Sequence, residues 1–302
     1  MATISVNNIS KRFGEVQALD NVSFEINSGE IFGLLGPNGA GKTTMIRIIL
    51  DIYKADQGTA SILGGPMTEA KKNQIGYLPE ERGLYQDIQL DRCLHFLASL
   101  KGMEPMLANR KITEYLERFD LASDSKKKVK ELSKGMQQKA QLISALVHNP
   151  EVLIIDEPFS ALDPVNTQMV KDLLIEERNN GKTIVMCTHQ MAQVEQLCDR
   201  LVLIDHGQLV LEGSLADIRK KFASNDVIIR TESSIPEDLM GIESIVRSNN
   251  HVKLHLSENS SPQQVLAQLV QQGIILDEFE IATPSLDEIF IQVVSRGKVR
   301  NE

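Results

Sequence analysis

Two short stretches of the chain hold residues whose types and spacing suit phosphate chemistry. The first is Gly36-Pro37-Asn38-Gly39-Ala40-Gly41-Lys42-Thr43-Thr44, a Gly-x4-Gly-Lys-Thr pattern that reads as a phosphate-binding loop. Its glycines let successive backbone N–H groups converge on phosphate oxygens. A helix opening behind the loop adds partial positive charge. Lys42 then reaches the β- and γ-phosphates, and the Thr43 hydroxyl can ligate Mg²⁺. The second stretch is the apolar run Val152–Ile155 followed by Asp156 and Glu157. A buried strand delivers its C-terminal residues to the crevice where α/β proteins bind ligands. Asp156 is placed to hold the Mg²⁺ shell, and Glu157, one residue on, to accept a proton from an attacking water.

The surrounding pattern supplies the elements that must position these groups. Val22, Phe24 and Ile26 alternate with polar residues, the period of a half-buried strand. Ile31–Leu35 is apolar on both faces, as expected of a strand inside a parallel sheet, and it runs straight into the phosphate loop. Met45–Leu50 continues as a helix. From about 87 to 148 the spacing turns helical, with Leu90, Leu94, Leu97 and Leu100 and then Ile112, Leu116 and Phe119 on recurring faces. Strand character returns at Val152–Ile155, Thr183–Cys187 and Leu201–Ile204. Between these lie a helix beginning near Pro164 and another carrying Met191, Val194 and Leu197. Alternating strands and helices predict an α/β fold with a largely parallel sheet, and the block at 87–148 is read as a helical insertion.

Asp205-His206-Gly207 separates two apolar runs and predicts a hairpin turn, which makes His206 a turn residue. The sheet pattern ends near Ser214–Asn225. We expect one domain over 1–222 and a small α+β domain over 223–302. In the latter, Val227–Ile229 and His251–Leu256 read as strands and Pro262–Gln272 as a helix with Val265, Leu266 and Leu269 inward. Ser285 and Glu288 form a capping box for a final helix.

Composition sets outer limits. The chain has 302 residues, 42% hydrophobic and 24% charged, which is ordinary for a folded protein and excludes a mainly disordered one. A net charge of −9 argues against a dedicated nucleic-acid binder. The longest apolar runs fall far short of the ~18–20 residues of a spanning helix. The N-terminus lacks the basic start and apolar core of a signal peptide. Cys93, Cys187 and Cys198 are widely spaced and read as reduced buried thiols, so a soluble intracellular protein is expected. The six histidines are scattered and suggest no metal cluster; Lys126–Lys128 reads as a solvated loop.

With these motifs in order, residues 2–220 resemble the ATP-binding subunits of ABC transporters, phosphate-loop NTPases with an inserted helical subdomain. Leu132-Ser133-Lys134-Gly135-Met136-Gln137-Gln138 resembles the family's signature, and Ser160-Ala161-Leu162-Asp163 the loop after its catalytic glutamate. His189 stands where the family has a switch histidine, and Phe13 where it has an aromatic that stacks on adenine. Glu80 stands where glutamine is usual, and a carboxylate there can ligate the metal. Leu78–Tyr85, the Leu-Ser-Lys-Gly-Met signature and Pro284–Phe290 together resemble sodium-efflux-type exporter ATPases, which carry a small extra C-terminal domain.

The resemblance implies ATP and Mg²⁺ as cofactors. Phe13, the loop Gly36–Thr44, Ser133 and Gly135 would bind nucleotide; Thr43, Asp156 and Glu80 would hold the metal; Glu157, His189 and Lys42 would carry catalysis. It implies a second copy in a nucleotide-sandwich dimer, with Ser133 and Gly135 meeting the γ-phosphate across the interface, and a separate multi-spanning permease. The expected location is cytoplasmic, peripheral on the inner face of the cell membrane, and the expected function is powering export of sodium or a drug. Two alternatives are a soluble mechanoenzyme acting on ribosomes or DNA and a regulatory module that binds ATP without turnover. No nucleic-acid partner is expected.

Overall fold

The computed structural model describes residues 2–81, 83–222, 226–233, 235–236, 239–248, 251–257 and 259–299. The chain divides into two compact units, Met1–Leu215 and Ala216–Glu302. That division falls ahead of the 222/223 boundary expected from the sequence pattern.

The first unit opens with two long strands, β1 (Ala2–Phe13) and β2 (Val16–Asn27), paired antiparallel. β3 (Ile31–Leu35) follows, every residue buried, and leads through the phosphate loop into α1 (Lys42–Ile49). β4 (Gln57–Ile62) returns to β1, giving a three-stranded antiparallel sheet of order β2-β1-β4. After α2 (Glu69–Lys72) comes β5 (Ile75–Leu78). The expected helical block is α3 (Leu90–Leu100), α4 (Pro105–Arg118) and α5 (Lys134–Leu146), with α5 packed on β5 as well as on the other two helices.

The main sheet is completed by β6 (Val152–Asp156), β7 (Thr183–Thr188), β8 (Arg200–Asp205) and β9 (Gln208–Ser214), with α6 (Pro164–Asn179) and α7 (Met191–Leu197) in the connections. Its order is β5-β6-β7-β3-β8-β9, parallel except for the last pair. The apolar strands β3, β6 and β7 are buried along their length, as continuous hydrophobic runs in a two-sided sheet must be. Register aligns their C-terminal ends: Asp156 pairs with Cys187, and Leu35 with Thr188. The phosphate loop, the acidic pair and His189 therefore leave the sheet at one edge.

The β8–β9 turn is where Asp205-His206-Gly207 predicts it. His206 (φ 46°) and Gly207 (φ 76°) both take left-handed backbone, and the His206 side chain is exposed. The turn is not free-standing. Gly207 N–H donates to Ala40 O at 3.0 Å, and Asp20 N–H donates to Gly207 O at 2.8 Å, tying the turn to the phosphate loop and to β2.

α8 (Leu215–Lys221) leads on to the second unit. There β10 (Asp226–Arg230), β11 (Ile242–Arg247), β12 (Val252–Leu256) and β13 (Glu278–Ile281) form an antiparallel sheet of order β11-β12-β10-β13. α9 (Pro262–Gln271) buries Val265 and Leu269 against it, while Leu266 is half-buried. α10 (Leu286–Val299) begins at the Ser285–Glu288 capping box, whose two reciprocal bonds form at 2.9 and 3.2 Å. Among the described residues no helix is long and apolar enough to cross a membrane. Cys93, Cys187 and Cys198 are buried and unpaired.

Candidate functional site

A helix that starts at a buried strand end needs a sharp change of direction, and Gly41 supplies it. It caps α1 with φ 107°, and a Cβ there would stand 2.4 Å from Ala18 O. Lys42 is buried behind the loop, its ammonium donating to the carbonyls of Gly36 (2.9 Å) and Pro37 (3.1 Å). A phosphate oxygen offers the ammonium a charged acceptor instead.

Thr43, in the first turn of α1, donates its hydroxyl to Asp156 Oδ2 at 3.2 Å. Burial raises the Asp156 pKa above its ordinary value, against the opposing hydrogen bonds from Cys187 and Thr43. A buried carboxylate beside a hydroxyl lacks positive charge, and hard oxygen donors of this kind suit Mg²⁺. Among the described residues no cluster of three His, Cys, Asp or Glu side chains could hold a metal by itself.

Glu157 follows Asp156 with φ 51°, a left-handed conformation uncommon outside glycine. Its N–H donates to Cys187 O (2.8 Å), which extends the β6–β7 ladder by one residue. The carboxylate turns to the end of β7. Oε2 accepts from the Thr188 hydroxyl (3.0 Å), and Oε1 accepts from the His189 N–H (3.0 Å) and lies 2.6 Å from His189 Nδ1. A carboxylate oxygen accepts, so Nδ1 is the donor of this bond.

A cleft of about 280 Å³ runs over the loop, lined by Asn38–Thr44, Glu80, Asp156, Glu157 and Val16–Ala18. The structure thus brings together the loop, both carboxylates and Glu80. Gly36 and Pro37 lie behind the loop as lysine acceptors. His189 joins the site through Glu157. Phe13, Ser133 and Gly135 do not line the cleft. Phe13 ends β1 half-exposed, edge-on to Tyr53 at 5.5 Å, with the Lys11 ammonium 5.3 Å from its ring centre. Ser133 caps α5, accepting from Met136 N–H at 3.2 Å, with Gly135 packed against Ala161. Sequence reasoning missed Val16–Ala18 and Thr188, which carry no motif of their own. A larger cavity of about 580 Å³ lies away from the loop, and its charged walls are largely self-paired, as in Arg118–Glu176 and Lys182–Glu177.

Comparison with known proteins shows the family of the chain. Residues 19–160 match the ABC transporter family, and residues 213–294 match the C-terminal domain of ATP-binding proteins of the DrrA1-3-like kind. The uncharacterized ABC transporter ATP-binding protein YhaQ of Bacillus subtilis is 41% identical over 96% of this chain and 98% of its own. The chain belongs to the ABC transporter ATP-binding proteins. It is accordingly a phosphate-loop ATPase that binds ATP, of a family whose hydrolysis is coupled to transport. Other members of the family that it resembles include the linearmycin resistance ATP-binding protein LnrL of Bacillus subtilis, 31% identical over 97% of this chain and 98% of that one. The Nod factor export ATP-binding protein I of Sinorhizobium fredii is 32% identical over 97% and 86% respectively. Among solved structures, the ATP-binding subunit of an ABC transporter superposes with TM-score 0.69 at 31% identity, covering 73% of this chain and 93% of that one.

Proposed function

We propose that this ATPase is the energy-supplying subunit of an exporter: two copies clamp ATP between them and drive a separate multi-spanning permease from the cytoplasmic face of the membrane. The observation that carries the reading is one cleft holding the phosphate loop, Asp156 and a Glu157 whose carboxylate is held by Thr188 and His189. Whole-length likeness to proteins named for export and for resistance supports the direction of transport.

In this reading the loop N–H groups and Lys42 bind the β- and γ-phosphates, while the half-exposed Phe13 stacks on adenine. Thr43 and Asp156, with Glu80 at the cleft, would hold Mg²⁺, which would neutralise charge gathering on the transferring phosphoryl group. Glu157 takes a proton from the attacking water, and His189, bonded through Nδ1, keeps Glu157 oriented. Ser133 and Gly135 stand at the N-terminus of α5, away from this chain's own cleft, where they serve the ATP of the second copy. A symmetric pair of copies then completes two sites at once.

The test is affinity purification of the tagged chain from membranes of its native host. A multi-spanning protein is expected to co-purify, and the complex to hydrolyse ATP; recovery of the chain wholly in the soluble fraction, with no such partner, refutes the transport reading.

A further inference from the structure

The backbone around Glu157 has an unusual problem. Its left-handed φ of 51° is costly for a side chain of this size, and the next residue, Pro158, has no N–H with which to anchor the turn. Glu157 N–H is tied to Cys187 O, and past it the carbonyls of the turn are what other groups can hold. The Glu157 carbonyl accepts from Ser160 N–H at 3.2 Å, a bond local to the turn itself. The remaining hold comes from elsewhere in the chain. The half-buried Gln138 side chain on α5 points one nitrogen at two successive carbonyls, Glu157 O (3.1 Å) and Pro158 O (3.2 Å). The left-handed turn aims both acceptors the same way, so a single Nε2 serves both.

The same helix grips the rest of the segment. Gly135 approaches so closely that a Cβ there would meet Ala161 O at 2.9 Å. Lys139 Nζ donates to Asn166 Oδ1 (3.2 Å), and Asn166 is bonded in turn to the Asp163 carboxylate (2.6 and 2.8 Å).

We propose that Gln138 is a positioning residue for hydrolysis: it clamps the strained backbone of Glu157 to the signature helix, and so sets where the carboxylate points. This rests on Glu157 being the base. Gln138 lies outside the cleft and would act only through Glu157. Because a misplacement of about 1 Å at a reacting group can cost ~10²-fold, loss of the clamp is expected to lower turnover and leave binding alone.

The experiment compares Gln138→Leu, which keeps the volume but removes the donor, with Gln138→Glu, which places an acceptor against two carbonyls. Both are made in the full chain, alone and combined with Glu157→Gln. The expected result is a fall in kcat of roughly 10–100-fold with KM and ATP affinity within about twofold, and less than about twofold further loss in the Glu157→Gln background. A kcat within twofold of wild type overturns the proposal. So does an equal fractional loss in both backgrounds, or a weakened ATP affinity that accounts for the loss. If Glu157→Gln alone turns over at the wild-type rate, the base assignment falls and this inference with it. If Glu157→Gln is dead while both Gln138 variants are normal, this inference alone fails.

Discussion

Glu157→Gln separates chemistry from architecture unusually well in this site. The native carboxylate receives three protein donors: the Thr188 hydroxyl on Oε2, and the His189 N–H and Nδ1–H on Oε1. A glutamine that keeps its carbonyl oxygen toward His189 retains both of those bonds. Its amide nitrogen then faces Thr188 Oγ1, a hydroxyl that can turn and accept, so that hydrogen bond is reversed rather than lost. The structural cost is therefore at most about one exchanged hydrogen bond, ~1 kcal/mol, or about 2–4 °C in melting temperature for a unit of this size. The chemical cost is much larger, because an amide cannot take the proton. General-base assistance contributes ~10²–10⁴-fold, or about 3–5 kcal/mol of barrier. We expect phosphate release in single-turnover assays to fall by at least 100-fold, with nucleotide affinity and melting temperature nearly unchanged. Light scattering with Mg-ATP should also show the variant held as a dimer. Hydrolysis within about threefold of wild type would refute the role given to Glu157, and a melting temperature lowered by 10 °C would refute the argument from its hydrogen bonds.

Further tests reach other parts of the fold. Gly41→Ala places a Cβ 2.4 Å from Ala18 O and 2.8 Å from Leu19 Cδ2 at a φ that alanine avoids, so the loop must move; ATP affinity should fall at least ~5-fold, by ~1–3 kcal/mol of strain, in an equilibrium titration. Glu177 and Lys182 form a buried ion pair, so Lys182→Met should destabilise by ~3–5 kcal/mol, while Glu177→Leu/Lys182→Met recovers most of it in urea unfolding. Burial holds the His148 pKa down to about 4, with Nε2 bonded to Ile75 O. The neutral ring is the one the fold accommodates, and the unfolded chain takes up a proton first as pH falls. Stability is then lost between about pH 6.5 and 4, by up to ~3 kcal/mol, and levels off below; His148→Gln should flatten that part of the urea-midpoint profile.

What the sequence revealed follows from where the physics is local. Ile31–Leu35, the glycine-rich loop and the helix after it form one unbroken segment, so strand, turn and anion site could be read together. The Asp205–Gly207 turn and the Ser285–Glu288 cap are likewise decided by neighbours within a few residues. Two kinds of strand escaped notice: β5, buried but only four residues long, too short to show a period, and strands with little buried surface. β4 buries only Ile62, and β11 and β13 are edge strands with no fully buried residue, so no alternation marked them. In the site, Asp156 and Glu157 were legible from their place after an apolar strand. Their partners Thr188 and Gln138 were not, because those bonds join residues 31 and 19 positions away and depend on parallel register and on helix docking. Val16–Ala18 entered the cleft the same way, through the return strand of a hairpin rather than through any motif.

The hairpin beneath the phosphate loop has a mechanical side. β9 is the last strand before the chain passes into the second unit, and it begins at the turn whose Gly207 holds Ala40. The strand that carries the chain out of the first unit thus starts beside the backbone bond that underpins the nucleotide cradle.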